Sequence, residues 1–179
     1  MFAPRWRGAV ALVVAIVAAG CTTVPPSPAA GAAEILSGRL ALRVGPVADE
    51  APRSVSAAFD LRGDSRAGTL GLSTPLGSML AQARWSPAEV VLTTPRETRR
   101  FASLDALTRE ALGESVPIEA WFDWLRGRPW PGAASAPSEP GFRQLGWRVD
   151  LAQFGAGTIA ATRETPAPIV TVRVRLDGA

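Results

Sequence analysis

The stretch 168-PIVTVRVRLD-177 constrains the fold more than any other in this chain. Val170, Val172, Val174 and Leu176 alternate with Thr171, Arg173 and Arg175. A period of two is that of a β-strand with one face buried and the other wet. The same alternation recurs in 38-GRLALRV-44, where the apolar set is Leu40, Leu42 and Val44. It recurs in 54-SVSAAFDLR-62, with Val55, Ala57, Phe59 and Leu61, and in 68-GTLGLS-73. In 77-GSMLAQARW-85, Met79, Ala81, Ala83 and Trp85 share one face. The runs 89–94, 146–154 (Trp147, Val149, Leu151) and 157–164 follow, with a weaker one at 97–102. Turn pairs such as Gly63-Asp64, Ser86-Pro87 and Pro95-Arg96 separate them. Roughly nine one-faced strands, with most connections too short for a crossover helix, predict an antiparallel sheet.

Such a sheet needs a cover for its apolar face, and two segments of helical period can supply it. In 103-SLDALTREALG-113, Ser103 is a candidate N-cap, Leu104, Leu107, Ala111 and Leu112 form a stripe, and Gly113 ends it. In 117-PIEAWFDWLRG-127, Pro117 suits the first helical position, and Ile118, Trp121, Phe122 and Leu125 follow the i, i+3, i+4, i+7 spacing. Glu119 and Asp123 fall on the opposite side, and the four-proline stretch 128–141 predicts a loop. A curved, barrel-like sheet with a helical pair across its open side buries every apolar stripe.

The chain's chemistry is sparse. There is no His and no Lys, and one Cys, so Ser-His-Asp and Cys-His centres, His-ligated metals, SxxK motifs, zinc clusters and internal disulfides are excluded. No phosphate-binding glycine loop occurs, and the basic residues form no run suited to nucleic acid. Asp60 and Asp150 alternate with apolar neighbours and should face solvent, so a carboxylate pair finds little support. No catalytic residue, metal site or cofactor is expected.

The N-terminus reads MFAPRWRGAVALVVAIVAAGCTTVPPSPAAGAAE. Arg5 and Arg7 precede an apolar run, Ala9 to Ala19, which is too short for a comfortable membrane span. Ala18-Ala19-Gly20-Cys21 resembles a bacterial lipobox, in which the Cys is acylated after cleavage before it. Thr22 rather than Asp in the next position resembles sorting signals for the outer membrane. Residues 1–20 then form a signal peptide, and Cys21 with residues 22–35 an acylated, flexible tether. Residues 36–179 form the folded domain. Loss of Arg5 and Arg7 lowers the basic count from 19 to 17 against 16 acids, a net charge of +1.

Four stretches, in order, carry a family resemblance: 70-LGLSTPLGSMLAQARWSPAEVVLTTP-95, 103-SLDALTREALGESVPIEAWFDWLRGRPWPG-132, 142-FRQLGWRVDL-151 and 168-PIVTVRVRLD-177. Together, from about Ser37 to Asp177, they resemble LolB, the outer-membrane lipoprotein receptors of the lipoprotein-localisation pathway. The resemblance implies an incomplete antiparallel β-barrel with a helical lid around an apolar cavity. It implies a receptor that accepts lipoproteins from the soluble periplasmic carrier LolA and places them in the outer membrane. It further implies a protruding loop with an apolar tip at Pro75-Leu76-Gly77, used at the membrane. The family's N-terminal helix is longer than 31-GAAEILS-37 allows.

The expected acyl-chain cavity is lined by Leu40, Leu42, Phe59, Leu70, Leu72, Met79, Ile118, Trp121, Phe122, Leu125, Trp147, Val149, Val172 and Val174. Expected partners are the carrier, lipoprotein acyl chains and the inner leaflet of the outer membrane. The protein is expected to be a periplasm-facing, lipid-anchored monomer that binds no nucleic acid. The residues alone leave two other readings open: a different periplasmic lipid-binding lipoprotein, or a structural or assembly lipoprotein with a solid core. Aromatics at helical spacing are usually core, and a single exposed leucine such as Leu76 is common.

Overall fold

The computed structural model describes residues 35–46 and 51–178. The expected signal peptide, Cys21 and tether residues 22–34 lie outside the described residues. Strands β1 (Leu36–Val44), β2 (Arg53–Gly63), β3 (Gly68–Ser73), β4 (Met79–Trp85), β5 (Val90–Thr93) and β6 (Thr98–Phe101) are followed by helices α1 (Leu104–Leu112) and α2 (Ile118–Trp124). Strands β7 (Ser135–Ser138), β8 (Gly141–Gln144), β9 (Trp147–Asp150), β10 (Thr158–Arg163) and β11 (Val170–Leu176) complete the domain. All pair antiparallel in one sheet of order β6-β5-β4-β3-β2-β1-β11-β10-β9-β8-β7.

The order explains the architecture. Two meanders meet where β1 pairs with β11, Leu40 opposite Val174. The edge strands β6 and β7 do not pair with each other, so the barrel is incomplete. Between them in sequence come the two helices, whose apolar faces join the one core cluster. Charge blunts one edge, through Arg99 and Arg100 of β6, and Pro137 suits the other, where a missing N–H costs no ladder bond.

Local chemistry sets the helix ends. The Ser103 hydroxyl oxygen accepts from the Ala106 N–H at 3.0 Å, and Gly113 closes α1 in the left-handed region at φ 76°. Ile118, Ala120, Trp121, Phe122 and Trp124 of α2 are all buried. In α1 the buried stripe is Leu104, Leu107 and Thr108, whereas Ala111 is exposed.

Two expectations change. The 128–141 stretch is not all loop: Ser135–Ser138 is an edge strand, and its turn into β8 holds the cis Glu139-Pro140 bond. Among the described residues there are eleven strands rather than nine, because β7 and β8 precede the 146–154 run, which itself ends at Asp150.

Candidate functional site

Two kinds of interior share this fold. On the β7–β10 side the core is solid. Trp124 is 0% exposed and meets the rings of Trp121 at 5.4 Å and of Phe142 and Trp147 at 6.3 Å. Buried Gln144 fastens this end. Its Oε1 accepts from Trp124 Nε1 at 2.8 Å and from the Trp130 N–H at 2.9 Å. Its Nε2 donates to the carbonyls of Trp130 at 2.7 Å and Ala133 at 2.8 Å. Both donors and both acceptor sites of the amide are thus used.

Under the central strands the interior is hollow. A cavity of about 110 Å³ lies there with an apolar wall. β1 contributes Leu40 and Leu42, β2 Val55, Phe59 and Leu61, β3 Leu70 and Leu72, and β11 Val172 and Val174. The cover is made by Thr108 and Leu112 of α1, Val116 of the link, and Ile118, Trp121 and Leu125 around α2. Thr108 brings no free polar group: its hydroxyl donates to the Asp105 carbonyl at 3.2 Å and accepts from the Val116 N–H at 3.1 Å. Trp121 Nε1 is buried with no hydrogen-bond partner. The link between the helices is held to β10, where the buried Arg163 guanidinium bonds the Glu114 carboxylate at 2.5 Å and the Ser115 carbonyl at 3.4 Å.

Of the residues expected to line the cavity, Met79, Phe122, Trp147 and Val149 do not. Met79 is 45% exposed. A bulge puts Leu72 opposite Ala81 but Ser73 opposite Met79, so Leu80 is the extra residue and Met79 leaves the inward face. Phe122, Trp147 and Val149 do face inward, but among filled packing: Phe122 sits edge-on to Trp85 at 5.9 Å, and Trp147 lies beside Trp124. Lining residues absent from the expectation are Val55, Leu61, Thr108, Leu112 and Val116. Thr108 is legible in hindsight, four residues from both Leu104 and Leu112. Val116 lies between helices and has no periodic signal.

Leu76 is 96% exposed. It occupies the tip of a turn closed by the Gly77 N–H donating to the Thr74 carbonyl at 2.9 Å. Pro75 at the second position and Gly77, at φ 85°, at the fourth fit that turn. Val55, Met79 and Leu80 are further exposed apolar residues on β2 and β4.

An open antiparallel half-barrel whose one apolar cavity wall is closed by a helix pair defines a class: binding proteins for apolar ligands. The family model for "Outer membrane lipoprotein LolB" matches residues 35–176, so the chain belongs to the LolB family. It is 34% identical to the outer-membrane lipoprotein LolB of Bordetella petrii, across 95% of this chain and 92% of that one. To the Bordetella pertussis protein of the same name it is 36% identical over the same shares. To that of Ralstonia nicotianae it is 36% identical over 81% of this chain and 76% of that one.

Proposed function

We propose that this outer-membrane lipoprotein accepts acylated lipoproteins from a soluble periplasmic carrier. It shelters their acyl chains in the cavity and delivers them to the inner leaflet. The observation that carries this reading is the wholly apolar cavity under α1 and α2. Burying a methylene is worth about 0.8 kcal/mol, so a chain of about 15 methylenes needs roughly 12 kcal/mol of shelter in transit. Transfer then runs between apolar cavities in contact, down an affinity gradient, and needs neither a catalytic group nor a cofactor. The protein acts as a monomer anchored through Cys21 after removal of residues 1–20.

The resting cavity is smaller than the cargo. A dry cavity of about 150 Å³ holds benzene, so about 110 Å³ holds only the end of one chain. Loading therefore displaces part of the cover. The helix suited to move is α1, which buries three residues, whereas α2 is fixed by Trp124 and Gln144. Pro75, Leu76 and Gly77 form the membrane-entering loop in this reading.

Leu76→Glu tests it. The side chain makes no burial, so the fold is retained, and cargo is taken from a loaded carrier as in wild type. Delivery into liposomes falls at least about tenfold, because a carboxylate resists entry into the apolar boundary. Normal delivery by the variant removes the loop from the mechanism. Retention of acyl species by the wild type without transfer favours a lipid-binding lipoprotein instead.

A further inference from the structure

The outward face of the sheet carries a cluster that stability does not explain. Arg39 and Arg43 of β1 and Arg173 and Arg175 of β11 are all exposed. None has an ion-pair partner within 4.0 Å among the described residues, unlike Arg62, Arg100 or Arg148. The register sets Arg39 directly opposite Arg175, an arrangement that repels. In its row Arg173 has Ala41 on one side and Ala160 on the other, with Asp150 beyond Ala160 lining the same surface hollow but making no ion pair with it within 4.0 Å. At about 3.3 Å per residue and 4.8 Å between strands, four cations share a footprint of roughly 13 by 5 Å.

We propose that this quartet docks the domain on a bilayer carrying anionic phospholipid. The proposal rests on the lipid-anchored reading above and adds an orientation to it. Residues 22–35 separate Cys21 from β1, a reach of at most about 50 Å, so the anchor holds the patch near phosphate-bearing headgroups. The chain enters the fold at Leu36, next to the Arg39 and Arg175 end of the cluster. Arginine forks suit phosphate oxygens, and the phosphodiester supplies the missing counter-charge. Because the quartet lies on the sheet face opposite the cavity, docking through it turns the helical cover toward the periplasm. That is the pose for receiving cargo; delivery then requires the domain to roll onto the Leu76 loop.

The acylated protein, reconstituted in vesicles, is treated with a water-soluble arginine reagent and mapped by mass spectrometry. In vesicles with one third phosphatidylglycerol, the four arginines react at least about fivefold more slowly than in pure phosphatidylcholine. The protection disappears at roughly 0.5 M salt, where the screening length is about 4 Å. Arg39→Gln with Arg175→Gln removes the protection of Arg43 and Arg173. Equal reactivity in the two vesicles overturns the proposal. So does protection that appears only when the carrier is added, which assigns the patch to an acidic protein. Lipoprotein transfer measured on the same vesicles separates the two readings: transfer without protection sinks the docking pose alone, and protection without transfer sinks the receptor reading alone.

Discussion

The two interiors of this domain are built from the same alternation and end in opposite states. Under β8, β9 and β10 the inward residues are Phe142, Trp147, Val149, Ile159 and Ala161, none more than 5% exposed, and Trp124 closes over them. Under β1, β2, β3 and β11 the inward residues are mostly Leu and Val, and a cavity remains. The difference lies in what descends from the helices. α2 sends Trp124 and Phe122 to the two flanks, where aromatic rings interlock at 5.4–6.3 Å. Over the centre the cover offers Thr108, Leu112, Val116, Ile118, Trp121 and Leu125, and a cavity of about 110 Å³ remains between them and the strands below.

The severest way to break that division is Trp124→Ala. It removes a side chain with 0% exposure, three ring contacts and the donor to Gln144. The expected loss is about 4–5 kcal/mol, the upper range for buried aromatic truncation. It is read as a fall in the denaturant midpoint with an unchanged slope. A loss below about 2 kcal/mol would mean that the flank is not the stabilising unit. A milder challenge adds volume rather than removing it. Ala161→Phe forces a ring into a 0% exposed site on β10 and should cost about 3 kcal/mol.

How far the sequence reaches is clear from particular residues. Period-two and period-3.6 patterns place Leu40, Leu42, Phe59, Leu70 and Val172 inward, and the structure gathers them at one cavity. They also place Trp147, Val149 and Phe122 inward, which is right about the face and silent about the filling. Periodicity encodes direction, and whether facing side chains touch depends on their summed volumes in three dimensions. Met79 fails for another reason. One bulge reverses its parity, and a bulge between Leu72 and Ser73 leaves no mark in the local alternation. Gln144 carries no signal in the sequence because its value comes from Trp124, Trp130 and Ala133, brought together by the fold. Leu76 stands out early since an apolar residue at a Pro-x-Gly turn needs no tertiary information to be exposed. Cys21 is a reading of sequence alone.

The gentlest change separates the hollow from the solid most sharply. Val174 is 3% exposed and stands in the cavity wall on β11, facing Leu40 across the pair. Val174→Phe adds a ring where about 110 Å³ is empty, so the added volume has somewhere to go. Gained contacts offset the rotamer and backbone adjustments, and stability stays within about 1 kcal/mol of wild type. The similar enlargement at Ala161 has no such space, so the two phenylalanines differ by about 2 kcal/mol or more in denaturant unfolding. Under the receptor reading, binding of an apolar dye or of acyl cargo falls with Val174→Phe while the fold persists. Equal destabilisation at the two sites would show that the centre is packed as tightly as the flank. Stability retained with full cargo uptake would place the acyl chains elsewhere than between β11 and the helical cover.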